Sequence, residues 1–318
     1  MKAKILLLVL FVLSIILVTS SCERINVPQT QNANITYVYN NGDENKTETV
    51  YAAAFKKPDD PVRSGYKFVG WCTDEELTNF YNFEISPSQT TVLYAKWEID
   101  YENLLENTGT DALLFNVKVR TEFIKGPSKS ISQGSGVIFD KNDGYYYALT
   151  NYHVVENSSY TNCDYYVFDA YGNEYRATKI AGSPEYDLAV LRFSSKKGVS
   201  LSVAAIDERI PSNIETLISI SSPNGRFNSI TFGRAVNYET VSIGSGSELS
   251  KVEFDVLWLD CYAEHGSSGG AVIDTDFEII GLVYAVATEK NSNFKYSLAI
   301  PAEKINEFLN ANGFLIGK

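Results

Sequence analysis

The chain has 318 residues, which is enough for two domains of ordinary size, and 44% of them are hydrophobic, as in folded globular proteins. Its formal net charge of −12 excludes nucleic acid as a partner, because phosphate backbones need a cationic surface. The same charge would repel anionic lipid headgroups, so attachment to a membrane requires a hydrophobic or covalent anchor.

The N-terminus has the pattern of an export signal. Lys2 and Lys4 precede an almost wholly apolar run from Ile5 to Val18. A run of about 14 residues is short for a spanning helix, which needs roughly 20, but is typical of a secretory signal. Residues 19–22 (Thr-Ser-Ser-Cys) resemble the lipobox of bacterial lipoproteins, although Thr19 stands where that motif prefers leucine.

The lipobox resemblance implies that residues 1–21 are a signal peptide and that Cys22 becomes the first residue and carries lipid, including palmitate. Residues 22–33 are then the lipidated cysteine and a polar tether. The rest of the chain is expected outside the cytoplasm, anchored to the bacterial cell membrane and displayed at the cell surface. An ordinary cleaved signal and an uncleaved anchor stay open as alternatives, and all three export the remainder of the chain.

The remaining cysteines, Cys72, Cys163 and Cys261, are an odd number. Two interpretations stay open, a disulfide between Cys163 and Cys261 or free thiols, because connectivity does not follow from sequence. The chain has no CxxC pair and only two histidines, so no metal site and no cofactor are expected.

Residues 34–98 have the pattern of a small β module. Residues 35–39 and 91–97 alternate in polarity, and between them lies the segment 58–71, P-D-D-P-V-R-S-G-Y-K-F-V-G-W. This segment and the closing L-Y-A-K-W resemble the internalin B-repeat, or Listeria–Bacteroides repeat, family. The resemblance implies a β-grasp-like spacer or interaction module of surface proteins, whose partner the sequence does not name. Its aromatic residues are expected to form a core, since a domain of this size needs large apolar side chains to fold.

Residues 99–112 are acidic and predict a linker or a short helix, and residues 113–318 predict an all-β domain. Short strand patterns recur there between turn signals, which is typical of a barrel or a sandwich. Strands are expected at Leu114–Phe123, Gly136–Phe139, Tyr145–Thr150, Tyr165–Phe168, Leu188–Phe193, Thr216–Ile220, Val252–Leu259, Ala271–Ile273 and Ile279–Ala287. A helix is expected over 301–309, because a proline precedes apolar residues at helical spacing.

Three segments of this domain carry a constellation of reactive side chains. His153 follows an apolar strand in T-N-Y-H-V-V, Asp187 begins D-L-A-V-L, and Ser268 lies in the turn G-S-S-G-G. Hydrolysis by serine needs a neutral imidazole to take the hydroxyl proton, and a carboxylate behind the imidazole fixes its tautomer. The glycines allow backbone N–H groups to point inward, so those of Gly266 and Ser268 are expected to form an oxyanion hole.

In the order His, Asp, Ser, these segments resemble the HtrA/Deg branch of the trypsin-like serine proteases. The matching pieces are 134–138, 150–155, 187–191 and 266–272, and the likeness runs from near Ala112 to the end. It implies a chymotrypsin-like double β-barrel with a C-terminal helix, and a catalytic triad of His153, Asp187 and Ser268. Whether the homo-trimer typical of that branch forms here stays open.

Two residues and one missing module depart from that branch. Ser267 replaces the usual asparagine, and His265 stands where proline is common. His265 either borders the cleft and tunes substrate binding or is an exposed loop residue with no role. No PDZ domain follows in this sequence, so regulation by C-terminal peptide binding is not expected.

The specificity pocket is expected between the segment before Ser268 and Gly281–Ala287. Neither stretch offers an obvious buried aspartate to hold a substrate lysine or arginine, which favours a small or medium apolar side chain before the cleaved bond. Ser221–Gly233 and Thr240–Ser250 are candidate activation loops, because that branch often has mobile ones.

The sequence therefore predicts an extracytoplasmic serine endopeptidase that cleaves proteins or peptides through an acyl-enzyme intermediate. Two other classes stay open. One is an adhesion or scaffold lipoprotein with a non-catalytic protease-like domain, against which the intact triad argues. The other is a hydrolase of a different substrate such as an ester, because the triad itself does not select amides.

The lipobox gives a first prediction. Cys22→Ser is expected to release the protein from membranes or to leave an unprocessed precursor, because the acylated side chain is lost. Membrane fractionation with blotting measures this outcome, with Cys72→Ser as the matched cysteine control. Wild-type protein found as soluble cytoplasmic material would contradict the export argument.

Overall fold

The structure is a computed structural model that describes residues 32–41, 46–51, 55–63, 65–241, 252–288 and 294–314. The signal, Cys22 and most of the tether therefore lie outside the described residues. The chain divides into two compact units. The first extends to Glu98 except for residues 63–67, which group with the second unit, and the second runs from Ile99 onward.

The first unit is a mixed four-stranded sheet. Its strands are β1 (Asn32–Val38), β2 (Lys46–Tyr51), β3 (Tyr66–Cys72) and β4 (Thr91–Ile99), in the order β2-β1-β4-β3. β1 and β4 pair in parallel at the centre. The described part of the segment between β3 and β4 contains turns and no helix.

Aromatic side chains form the core of this sheet, as the sequence predicts. The indole of Trp71 is almost wholly buried. The rings of Tyr37 and Phe68 meet it edge-on, with centroids at 4.9 Å and 5.5 Å. Such edge-to-face pairs stabilise beyond the burial of their area.

The second unit begins with α1 (Tyr101–Thr110), in the segment where the sequence left a linker or a short helix open. The carboxylate of Asp100 caps the helix by accepting the N–H of Asn103. Leu104 is buried within the core of the second unit. The acidic segment is therefore a packed helix.

Six antiparallel strands form a closed barrel in the order β10-β7-β6-β5-β8-β9. They are β5 (Asn116–Lys125), β6 (Ser128–Asn142), β7 (Tyr145–Asn151), β8 (Asn162–Phe168), β9 (Glu174–Ser183) and β10 (Leu188–Phe193). The short helix α2 (Tyr152–Val155) follows β7 directly. The sequence L-A-V-L of β10 is wholly buried because its side chains pack into the core on both faces, while β7 and β9 pair with its two edges.

Seven further strands form an antiparallel sheet in the order β12-β11-β15-β16-β17-β14-β13. They are β11 (Leu217–Ser221), β12 (Ser229–Gly233), β13 (Ala235–Thr240), β14 (Asp255–Leu259), β15 (Ala271–Ile273), β16 (Ile279–Thr288) and β17 (Phe294–Pro301). The helix α3 (Ala302–Ala311) then packs Ile305, Phe308 and Leu309 into the core. The all-β fold of chymotrypsin type with a C-terminal helix is thereby confirmed.

The strand predictions hold best where the sequence is continuously apolar. β10 and β15 have the expected bounds. The expected strand at 114–123 starts late, because residues 112–115 form a 3-10 turn. The strand expected at 252–259 begins only at Asp255. β9, β12 and β13 were not expected.

The cysteines of the described residues are all free thiols, so the disulfide between Cys163 and Cys261 is not present. Cys72 and Cys261 are wholly buried, and Cys163 is half-buried. Burial raises the pKa of the Cys261 thiol to about 12.

In the part of the chain that the structure describes, no helix is both long and apolar enough to cross a membrane.

Two isoleucines of β6 give a matched test of the barrel core. Ile138 is fully buried and Ile131 is 55% exposed. Ile138→Ala is expected to lower the free energy of unfolding by about 2–5 kcal/mol, because it leaves a cavity in a close-packed interior. Ile131→Ala is expected to cost under about 1 kcal/mol. Chemical denaturation measures both, and equal losses would contradict the assigned register.

Candidate active site

His153 and Asp187 form a hydrogen-bonded pair at one end of the closed barrel. His153 lies on α2 immediately after β7, and Asp187 precedes β10, which pairs with β7. The imidazole Nδ1 lies 2.8 Å from Asp187 Oδ2. Oδ1 accepts the backbone N–H of His153 at 3.0 Å. The carboxylate is 2% exposed while the imidazole is 39% exposed, so a buried anion orients an accessible ring.

The backbone of Asp187 is held in an uncommon conformation. Its φ is +51°, in the left-handed region that non-glycine residues rarely adopt. Its carbonyl accepts the N–H of Tyr152 at 3.0 Å and the side-chain amide of Asn151 at 3.0 Å. These two donors lie next to His153 in sequence, so the residues that carry the imidazole also fix the residue that orients it.

Ser268 lies on the loop between β14 and β15, against the barrel strand β6. The N–H of Ser135 donates to the Ser268 carbonyl at 2.7 Å. A Cβ at Gly134 would lie 2.8 Å from the side chain of Val154 and 2.9 Å from the Ser268 carbonyl oxygen. Val154, the residue after His153, and the carbonyl of Ser268 therefore both border Gly134, at the junction of barrel and sheet.

Each carbonyl group of residues 265–268 accepts a hydrogen bond. That of His265 accepts the N–H of Asn224 at 2.7 Å, and that of Gly266 accepts the Ser135 hydroxyl at 2.7 Å. The Ser267 carbonyl accepts the N–H of Gly270 at 2.9 Å, and the Ser268 carbonyl accepts the N–H of Ser135. These bonds fix the orientation of four successive peptide groups.

The N–H groups of the same loop divide into two sets. Those of Ser267, Gly269 and Gly270 donate to backbone carbonyls at 2.7–2.9 Å. Those of Gly266 and Ser268, like that of the exposed His265, have no acceptor among the described residues. Because C=O and N–H point in opposite directions across a trans peptide, the bonded carbonyls of His265 and Ser267 turn these two N–H groups the other way. They are the two donors that the sequence predicts for an oxyanion hole.

Glycine is required at two positions of this loop. Gly266 has φ +92°, and a Cβ there would lie 2.9 Å from the Ser222 carbonyl oxygen. Gly269 has φ +87°, and a Cβ there would lie 2.1 Å from the Ser135 carbonyl oxygen. Both approaches are shorter than real Cβ contacts allow, so the G-S-S-G-G pattern follows from close backbone packing.

Sequence reasoning missed several polar residues that position this loop. Thr150 and Ser135 are wholly buried, and the Thr150 hydroxyl donates to the Ser135 carbonyl at 2.7 Å. Ser267, which replaces the usual asparagine, accepts from the Ser221 hydroxyl and the N–H of Glu264, both at 3.2 Å. The small polar residues of the matched motifs were the available signal.

His265 is exposed, and its described contact is through its backbone carbonyl. The neighbouring Glu264 forms an ion pair with Arg226. Arg226 and Asn224 belong to Ser221–Gly233, which the sequence predicted as an activation loop. In the structure this segment ends β11, forms a turn against residues 264–270, and begins β12. Residues 264–270 are called the nucleophile loop below, after the role predicted for Ser268. Most of Thr240–Ser250, the other predicted loop, lies outside the described residues.

The segment predicted to line the specificity pocket is part of β16. Val283 joins it to the nucleophile loop, accepting from the N–H of Gly269 at 2.7 Å and donating to the carbonyl of Gly270 at 2.9 Å. The next residue, Tyr284, is 3% exposed. Its burial, and then the negative charge of Asp187, raise the pKa of the Tyr284 phenol.

One acidic cluster has the spacing of metal ligands, with oxygens of Asp207, Asp274 and Glu278 within 4.8 Å of one another. The Arg209 guanidinium already supplies its positive charge, at 2.9 Å from Asp274 and 2.5 Å from Asp207. Burial and then the Asp274 charge raise the pKa of Glu278. The cluster contains no member of the predicted triad and is an ion network around Arg209.

Comparison with known families assigns both parts of the chain. Residues 134–282 match the model of the trypsin-like peptidase domain, and residues 34–96 match that of the Listeria-Bacteroides repeat domain. The chain contains a trypsin-like peptidase domain. The matched range includes all three residues of the predicted triad.

Relatives of the peptidase domain carry the names HtrA and DegP. A "probable periplasmic serine endoprotease DegP-like" of Brucella suis is 30% identical over 178 residues, which are 56% of this chain and 32% of the relative. A "serine protease Do-like HtrA" of Lactococcus lactis subsp. cremoris is 30% identical over 188 residues, 56% of this chain and 44% of the relative. The protein of the same name from Bacillus subtilis is 31% identical over 152 residues, which are 47% of this chain and 32% of the relative. The chain thus spans less than half the length of these curated relatives.

The nucleophile loop of the peptidase domain allows a test with a matched control. Gly266→Ala is expected to lower the rate of Ser268 modification about 100-fold or more, because the Cβ displaces Ser222 and Asn224 and turns one oxyanion donor away. Gly198→Ala imposes a similar strain at φ +88° with nothing within 4 Å, and is expected to keep the wild-type rate. Labelling with a fluorophosphonate probe measures both. Equal rates in the two variants would contradict the proposed donors.

Proposed function

We propose that this protein is a serine endopeptidase that cleaves proteins or peptides outside the cytoplasm, with His153, Asp187 and Ser268 as its catalytic triad. The observation that carries the proposal is the pairing of two features in one place. The buried carboxylate of Asp187 is hydrogen-bonded to the imidazole of His153, and the N–H groups of Gly266 and Ser268 have no acceptor among the described residues.

The first chemical step follows from the His–Asp geometry. Nδ1 of His153 faces Asp187, so Nε2 is the nitrogen that takes the proton of the Ser268 hydroxyl. The serine oxygen then bonds to the substrate carbonyl carbon, whose oxygen becomes negative. The N–H groups of Gly266 and Ser268 stabilise that charge, a contribution of about 3–4 kcal/mol for one donor in enzymes of this kind.

The cycle closes through an acyl-enzyme. The tetrahedral intermediate collapses, the amine leaves with the proton from His153, and the acyl group stays on Ser268. Water then attacks the ester with His153 as base, the acyl group leaves as a carboxylic acid, and His153 returns the proton to the serine oxygen. The exposure of the imidazole supports this step, because solvent water can reach the ring.

The location of the protein outside the cytoplasm rests on its N-terminal pattern and on its relatives. The Brucella suis relative is named periplasmic. We propose that the lipobox-like residues 19–22 anchor the chain by lipid on Cys22, and that the Listeria-Bacteroides repeat acts as a spacer or docking module beside the membrane. The substrate preference proposed here is for a small or medium apolar residue before the cleaved bond.

The proposal is tested at the serine. In the full chain, Ser268→Ala is expected to abolish both fluorophosphonate labelling and hydrolysis of fluorescent casein, since loss of a triad member costs several orders of magnitude in rate. In-gel fluorescence and casein fluorescence measure the two effects. A folded wild-type protein that is not labelled would favour the non-catalytic scaffold alternative, and labelling without casein cleavage would favour an esterase.

The two histidines provide the matched control. His153→Ala is expected to remove nearly all activity. His265→Ala is expected to change kcat/KM by no more than about tenfold, or roughly 1.4 kcal/mol, because the described anchor of His265 is its backbone carbonyl. Equal damage from both substitutions in folded protein would contradict the assignment of the base.

A further inference from the structure

Ser135 is a wholly buried polar residue at the point where the barrel meets the nucleophile loop. It lies in β6 between Gly134 and Gly136, and it bonds to three other segments of the chain. Its N–H donates to the carbonyl of Ser268, and its own carbonyl accepts the hydroxyl of Thr150, both at 2.7 Å. These backbone bonds fix where the Ser135 side chain can point.

The hydroxyl of Ser135 bonds to two loops at once. It donates to the carbonyl of Gly266 at 2.7 Å and accepts the N–H of Ser222 at 2.8 Å. A serine hydroxyl has one proton to donate, so the donation to Gly266 uses its only donor. The two bonds tie the nucleophile loop and the loop after β11 to the same oxygen atom.

Gly266 is the residue of the loop that most needs such a bond. It has no Cβ, and its φ of +92° is a conformation that only glycine adopts freely. The peptide before it is held by Asn224, which donates to the His265 carbonyl. The peptide after it is held by the Ser135 hydroxyl. Hydrogen bonds on both sides therefore fix the direction of the Gly266 N–H.

The bond to Gly266 differs in kind from the others along the loop. The carbonyls of His265, Ser267 and Ser268 are each held by a backbone N–H, which no ordinary substitution removes. The carbonyl of Gly266 is held by a side chain. A single substitution at Ser135 thus deletes one of the constraints on the oxyanion hole and leaves the backbone bonds in place.

We propose that Ser135 is a positioning residue for the oxyanion hole, and that its hydroxyl holds the Gly266 N–H toward the developing negative charge. The inference rests on the proposed function, since it needs Ser268 to react as a nucleophile. The charge exists only as the tetrahedral species forms, so losing the hydroxyl slows the chemical step and leaves ground-state binding unchanged.

The experiment separates these two quantities with a fluorophosphonate probe. The serine oxygen attacks its tetrahedral phosphorus through a five-coordinate transition state, fluoride leaves, and the negative charge that develops on the phosphonyl oxygen lies in the same hole. In the full chain, Ser135→Ala is expected to lower the maximal inactivation rate kinact by about 10- to 100-fold, somewhat less than loss of a donor itself. The half-saturation constant KI is expected to stay within about twofold of wild type. Casein hydrolysis is expected to fall in proportion to kinact.

The chain offers a matched control in Ser219. This serine of β11 is also buried, and its hydroxyl has no partner among the described residues. Ser219→Ala makes the same chemical change near the same sheet and is expected to leave both kinact and KI within about twofold of wild type. A general loss of fold stability would instead lower the midpoint of thermal unfolding and the inactivation rate kinact in both variants.

Each outcome decides the matter. A folded Ser135→Ala variant with the wild-type kinact, or with a loss that lies only in KI, overturns the role of Ser135. Should that variant not fold, Ser135→Cys keeps the volume with a much weaker hydrogen bond, and a wild-type kinact there overturns the role as well. A wild-type chain that does not react with the probe refutes the proposed function itself, which distinguishes the two failures.

Discussion

The site depends on the backbone hydrogen bond from Ser135 to the carbonyl of Ser268, 2.7 Å long, which fastens the nucleophile loop to the barrel. His153 and Asp187 lie next to strands of the closed barrel, and Ser268 lies on a loop between two strands of the seven-stranded sheet. The way the barrel packs against the sheet therefore sets the distance between them. Proximity effects are sensitive to errors of about 1 Å. Because Gly134 and Gly269 have no Cβ, the backbones of β6 and of the nucleophile loop lie in direct contact, which helps to fix the position of Ser268.

The loop around Ser268 leaves backbone N–H groups without a partner, at a local cost in folding free energy. An unpaired backbone donor in a folded protein is costly unless a partner arrives, by about 1–3 kcal/mol when buried. Here the carbonyl groups of residues 265–268 are all paired, while the N–H groups of Gly266 and of Ser268 itself have no acceptor among the described residues. The left-handed backbone of Asp187 is a second local cost, held by two hydrogen bonds to its carbonyl. Such costs cluster where a site must be ready before its substrate binds.

The sequence predicts the fold class because short apolar runs such as L-A-V-L recur between turn signals, and because its motifs resemble those of trypsin-like proteases. It did not predict β9, where the alternation is lost after Thr178, because polar Lys179 falls on the more buried face and apolar Ile180 on the exposed face. The sequence predicts an activation loop over Ser221–Gly233, where β12 forms a strand by pairing with β11. It predicts no strand at β13, which pairs with β14. The part played by Ser135 was out of reach, since its hydroxyl bonds to a residue 131 positions away.

The cysteines lead to a different kind of consequence. Oxidants, alkylating agents and soft metals all react with the thiolate, and a thiol with a pKa of about 12 has almost none of it at neutral pH. Cys261 is in that state, and Cys72 is equally hidden, with burial raising its thiol pKa too. Of the described cysteines, the half-buried Cys163 is therefore the one whose thiol can be reached by reagents in the solvent.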